Sequence, residues 1–155
     1  MRYLVDANVL SEPTKPAPNA SVIEWLSTHE GDLFVDSIIL GELCIGILAL
    51  PPGRKRARLE QWFEALAETI ECLPWDVAIS RRWARLVVDS RRKGRSLPLL
   101  DSMIAATALA HGLTVATRNA RDFQKAGVDV VDPFASGSEG SRRLTGRRPA
   151  GSLSG

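Results

Sequence analysis

Cysteine and histidine are scarce in this sequence, with two of each among 155 residues. Cys44 and Cys72 lie far apart and match neither a metal-knuckle nor a redox spacing, which excludes a disulfide-stapled mini-protein and suits a reduced setting. No His or Cys cluster is available to build a zinc site. Long apolar runs are missing as well. Even Leu97 to Leu109 is broken by Asp101, and nothing approaches the ~20 residues that a membrane-spanning helix needs. The N-terminus meets an acid at Asp6 before any apolar core of a secretion signal can form. We therefore expect a cytoplasmic protein with no membrane association.

A large excess of one charge is also lacking. Twenty basic and 18 acidic side chains give a formal +2. The tail 135–155 (ASGSEGSRRLTGRRPAGSLSG) carries four arginines and one glutamate, which leaves residues 1–134 at −1. The globular part is thus no general polyanion binder, and a nucleic acid would have to be held by local patches or by bound cations. The tail is rich in Gly, Ser and Arg with almost nothing to bury, so its composition predicts a flexible appendage to a domain spanning 1–134.

What is present is an alternation of short apolar runs and helical patterns. Tyr3 to Val5 reads as a buried strand, followed by a turn ended by prolines 13, 16 and 18. Asn19 and Ser21 can cap a helix carrying Val22, Ile23 and Leu26, with Gly31 as its stop. Leu33 to Val35 reads as a strand, and Ile38 to Leu50 as an apolar helix stopped by Pro51-Pro52-Gly53. Amphipathic helices follow from Arg54 to Ile70 and from Asp76, and Pro98 opens another that Gly112 closes after His111. Leu113 to Thr117 and Val128 to Val131 read as strands around a helix start near Phe123. This alternation predicts an α/β/α sandwich with a central parallel sheet.

Three acids stand in apolar company: Asp6 after Tyr3-Leu4-Val5, Glu42 in IILGELCIGILAL, and Asp101 in LPLLDSMIAATALAHG. A carboxylate there loses hydration that only a partner can replace. Asp122, in TVATRNARDF just past a strand, is the natural fourth, because open α/β sheets build their sites beyond the carboxyl ends of strands. Singly, each acid can be a helix cap or a partner of the helix dipole. Four converging carboxylates, however, repel one another unless cations intervene. Mg²⁺ or Mn²⁺ suits such an all-oxygen set, and two ions about 3.5–4 Å apart can activate water against a phosphodiester.

The motifs VDANVLSE, GEL, LDSMIAATALAHGL and TVATRNARDF, in this order, resemble the PIN-domain ribonucleases, and among them the VapC-type toxins. The resemblance runs from Arg2 to Phe134. It implies a PIN-like α/β/α sandwich, usually dimeric, that binds Mg²⁺ or Mn²⁺, cleaves RNA, and is silenced by a cognate antitoxin. It also implies that Asp6, Glu42, Asp101 and Asp122 are metal-binding catalytic acids, with Asn8 and Thr117 orienting them. Some relatives carry an acid where this chain has Asn119, so the completion of a second metal site stays open between Asn119 and Asp122. Two other readings remain: an aspartyl-phosphate phosphatase with Asp6 as nucleophile, although the acid it needs two residues on is Asn8, and a non-catalytic, cation-dependent RNA-binding module.

The clusters Arg54 to Arg58 and Arg91 to Arg95 are candidate phosphate contacts, though such runs are more often solvated faces. His29 and His111 fall at predicted helix C-termini, where imidazole complements the dipole. The helical spacing of Trp62 and Trp83 points to core or dimer-interface positions.

Overall fold

The structure, a computed structural model, describes residues 1–135. All but the first residue of the expected tail lies outside the described residues.

Strand β1 (Tyr3–Val5) has all three side chains buried. The chain turns at Asp6 into a single helical turn, α1 (Ala7–Leu10), and a 3₁₀ turn over Glu12–Thr14. The Asn19 side chain accepts from the amides of Ser21 and Val22 and so caps α2 (Ala20–Thr28). This helix ends at His29 rather than at Gly31. The His29 ring bonds the Trp25 carbonyl at 2.8 Å and stacks on the Trp25 ring, and Gly31 falls inside the 3₁₀ turn Glu30–Asp32. Strand β2 (Leu33–Asp36) leads directly into α3 (Ser37–Leu48), which is capped by Asp36 and stops two residues short of the expected Leu50.

Helix α4 (Arg54–Thr69) is followed by β3 (Glu71–Leu73), a strand the sequence pattern does not announce. Three residues with no clear alternation are too few to carry the period of two, and only pairing with β2 makes them a strand. Helix α5 (Val77–Arg92) starts at Asp76, and α6 (Leu99–His111) starts just after Pro98, which takes the capping position rather than the first turn. Gly112, at φ +64°, supplies the left-handed residue that ends α6. Then come β4 (Thr114–Ala116), α7 (Ala120–Lys125) and β5 (Val130–Val131). The last strand is shorter than expected because the Val128 amide bonds the Phe123 carbonyl and closes α7 instead of pairing.

All strand pairs are parallel, and the order is β3-β2-β1-β4-β5. The chain winds outward from β1 to β3, then crosses back to β4 and winds the other way. The direction therefore reverses between β1 and β4, and in such sheets that reversal opens a crevice at the carboxyl ends of the two strands. Leu4, Val5, Val35 and Val115 from the sheet, with Ile39, Ile104 and Phe123 from helices, are fully buried and form the core. Trp62 packs at the core's edge. No helix among the described residues is long and apolar enough to cross a membrane.

Burial decides which apolar residues carry stability. Leu4→Ala should lower the unfolding free energy by about 2–5 kcal/mol. Ile45→Ala, at a side chain 66% exposed, should stay within about 0.5 kcal/mol of wild type. Urea unfolding of both variants measures the contrast.

Candidate active site

Asp6 follows β1 and Thr117 follows β4, so the crevice between these strands has one of them on each side. The Asp6 amide bonds the Ala116 carbonyl at 2.9 Å, carrying the strand pairing up to the acid itself. Asp6 is 4% exposed. Its Oδ1 accepts from the Ala7 amide at 2.8 Å, which makes it the N-cap of α1, and its Oδ2 accepts from the Thr117 hydroxyl at 2.7 Å. Burial still pushes its pKa upward, with the Thr117 and Ala7 bonds opposing that rise. Asn8 Nδ2 lies 3.4 Å from both Asp6 Oδ2 and Thr117 Oγ1, and its Oδ1 accepts from the Arg118 amide at 3.2 Å.

Glu42 projects from α3 and Asp101 from the first turn of α6. Burial, then the charges of Asp6, Asp101 and Asp36, push Glu42 up to about 7. Burial, then Asp6 and Asp122, push Asp101 up to about 6, against a bond from Asn119. Glu42 feels Asp6 and Asp101, and Asp101 feels Asp6 and Asp122, so Asp6, Glu42, Asp101 and Asp122 gather at one sheet edge. Asn119 binds the last two together. Its amide nitrogen donates to Asp101 Oδ2 at 3.0 Å and to Asp122 Oδ2 at 2.9 Å, while its backbone amide is held by Thr117 Oγ1 at 3.0 Å.

Sequence reasoning missed Asp36, a fifth acid at this edge. It ends β2 beside β1, is 2% exposed, and caps α3 through a 2.8 Å bond from the Ile39 amide to Oδ1. The signal was available, since Asp36 follows Leu33-Phe34-Val35 as Asp6 follows Tyr3-Leu4-Val5. Glu12 is a further buried acid, answered by Lys15 at 2.8 Å and by the Asn19 amide at 3.0 Å.

The group as a whole has too little positive charge. Among the described residues no Lys or Arg ion-pairs with Asp6, Glu42 or Asp101, and Lys125 stands 3.8 Å from Asp122. Buried Oε1 of Glu42 has no hydrogen-bond partner, nor has Oδ2 of Asp36. Among the described residues no three acids, histidines or cysteines are gathered tightly enough to form a ready-made cage. Hard cations that keep several waters do not need a closed cage. An all-oxygen donor set with an orphaned buried carboxylate oxygen fits Mg²⁺ or Mn²⁺ better than zinc.

A PIN-domain family model matches residues 3–128. The chain belongs to the PIN-domain family. This PIN domain is 35% identical over 137 residues to the VapC ribonuclease Y4jK of Sinorhizobium fredii, covering 84% of this chain and 96% of that protein. It is 37% identical over 136 residues to the toxin FitB of Neisseria gonorrhoeae, covering 84% and 97%. The structure of FitAB bound to an IR36 DNA fragment superimposes with a TM-score of 0.81 at 32% identity, over 87% of this chain and 97% of that one. The parallel sheet with helices on its faces is the fold of this PIN domain and of those neighbours.

The raised acids of the PIN domain make its metal-free stability depend on pH. Glu42 and Asp101 hold protons in the folded state at pH values where the unfolded chain has released them, so stability is present at low pH and lost as pH rises to about 7. In EDTA the protein should melt higher at pH 5 than at pH 8. Glu42→Gln should flatten the upper part of that slope, as thermal melts across the range would reveal.

Proposed function

We propose that this chain is an endoribonuclease of the toxin–antitoxin type, hydrolysing RNA phosphodiester bonds with Mg²⁺ or Mn²⁺ held by Asp6, Glu42, Asp101 and Asp122. The observation that carries the reading is the set of mutually repelling carboxylates at the crevice between β1 and β4, with a buried Glu42 oxygen that no protein group satisfies. A bound divalent ion supplies Lewis acidity, which makes water nucleophilic near neutral pH and offsets charge developing on the phosphate.

The side chains supply position and charge. Thr117 and the Ala7 amide fix both oxygens of Asp6, so its charge points one way before substrate arrives. Asn119 spaces Asp101 from Asp122, and Asn8 ties the turn after β1 to the turn after β4. Hydrolysis would leave a 5′-phosphate and a 3′-hydroxyl. The similarity to VapC and FitB toxins supports a small cognate antitoxin as protein partner, and a homodimer as the working form.

The phosphatase reading is weaker on this geometry. Such an enzyme needs a second acid two residues after its nucleophile to act as acid/base, and that place is held by Asn8, whose amide oxygen accepts from the Arg118 amide.

Asp6→Asn, Glu42→Gln and Asp101→Asn should each reduce RNA cleavage by at least about 100-fold, more than is typical for second-layer changes around a metal. Mn²⁺ titration should find weakened binding in each, with the fold intact by circular dichroism. Full activity in two of the three would overturn the assignment. RNA binding by the wild type without turnover in Mg²⁺ would favour the non-catalytic module.

A neutral amide cannot replace a carboxylate as a cation ligand, which separates Asp122 from Asn119. Asp122→Asn should weaken ion binding and slow cleavage strongly, and Asn119→Ala should cost less by loosening Asp101 and Asp122. Asn119→Asp should partly restore ion binding in the Asp122→Asn background. Calorimetry with single-turnover cleavage on this set checks the order, and a dead Asn119→Ala beside a normal Asp122→Asn would reverse it.

A further inference from the structure

Between α5 and the start of α6 lies a cleft of about 410 Å³ whose lining includes Trp83, Arg91, Arg95, Ser96 and Leu99. We propose that it is a subsite for single-stranded RNA, holding a nucleotide that flanks the phosphodiester to be cut. The proposal rests on the ribonuclease reading above and adds to it a place where the strand is gripped.

Position is the first argument. Leu99 and Ser102, which line the cleft, share the first turn of α6 with Asp101, which projects roughly 130° round the helix from their face. Arg95 Nη1 reaches the Lys125 carbonyl at 3.5 Å, at the end of α7, whose first turn carries Asp122. The cleft therefore shares one element with Asp101 and touches another that carries Asp122. A strand whose phosphate sits at the acids would have its neighbouring residues within reach of it.

Chemistry is the second. The lining contains two guanidinium groups and no acid, beside a centre that is strongly acidic. Among the described residues neither Arg91 nor Arg95 has an ion-pair partner. An arginine pair without a carboxylate complements phosphate. Trp83 supplies an aromatic surface of fixed orientation: its indole N–H donates to Ser102 Oγ at 3.0 Å, and it meets Trp75 edge-on at 6.1 Å. Ser102 Oγ is held in turn by a 2.6 Å bond to the Leu99 carbonyl. Cationic groups along a groove with a preorganised aromatic ring are the means by which proteins hold unpaired nucleotides, through phosphate contacts and base stacking. The volume falls within the roughly 300–1,000 Å³ of small-molecule sites.

The test uses the full chain in EDTA, so that binding is measured without chemistry. A fluorescein-labelled RNA hexanucleotide is titrated by anisotropy over a range of KCl concentrations. Arg91→Ala with Arg95→Ala should lower the slope of log affinity against log salt by about 1.4, the release from two single-strand phosphates. Trp83→Ala should weaken binding by roughly tenfold, and Trp83→Phe, which keeps a stacking ring and the fold, by much less. With Mg²⁺ added, the arginine pair should raise KM for the hexanucleotide with kcat little changed. A 4-thiouridine in the oligonucleotide should crosslink to the α5–α6 cleft.

Unchanged affinity and salt slope in the folded variants would overturn the subsite while leaving the nuclease reading intact. RNA binding lost through these residues by a protein that never cleaves would refute the nuclease reading and keep the subsite. Conversion of a dimer to a monomer by the arginine pair, with RNA affinity unchanged, would make the cleft a contact between copies and overturn the proposal.

Discussion

The bond from the Thr117 hydroxyl to the Asp6 carboxylate, 2.7 Å long and buried, joins the two strands between which the sheet reverses direction. Thr117 is fully buried, so this bond has no competition from water and holds Asp6 in one orientation. The same hydroxyl oxygen accepts the Asn119 amide, whose side chain in turn holds Asp101 and Asp122. A single threonine thus connects the acid on β1 to those on α6 and α7. Asp6, Asp101 and Asp122 are arranged relative to one another largely through this chain of short polar contacts, and Glu42 stands outside it.

The opposing constraint is charge. Asp6, Asp36, Glu42, Asp101 and Asp122 meet at the carboxyl edge of the sheet, where among the described residues only Lys125 forms an ion pair with one of them. The raised pKa values of Glu42 and Asp101 favour proton uptake in the protein alone, which relieves part of that repulsion. Such a centre costs stability that the apolar core offsets, as functional sites commonly do. Asp36 and Asp6 combine two roles here, since each also caps the helix that follows it.

Positive charge is concentrated a short way along the surface rather than inside the acid group. The α5–α6 cleft, with its paired arginines and Trp83, has a polarity opposite to that of the neighbouring carboxylates. A nucleic acid held in this cleft would meet cations suited to its phosphates. On the subsite proposed above, binding and bond cleavage fall to neighbouring surfaces, which reconciles a net-negative globular region with a polyanionic substrate.

The sequence by itself determined the parallel α/β architecture, because alternating strand and helix periods admit few other arrangements. It also marked Asp6, Glu42 and Asp101, since an acid inside an apolar run is conspicuous without coordinates, and the ordered motifs carried the family. Asn119 and Thr117 were visible as polar residues after a strand, but their partners were not. Asp6 and Thr117 are separated by 111 positions, and only the parallel pairing of β1 with β4 brings them together. Strand β3 escaped because a three-residue edge strand has no period of its own, whereas Asp36 carried the same signal as Asp6, an acid after three apolar residues, and was passed over. The cleft between α5 and α6 is purely tertiary. Its arginines read as a solvated helix end and its tryptophan as core or dimer interface, and only the packing of the two helices sets them around one space.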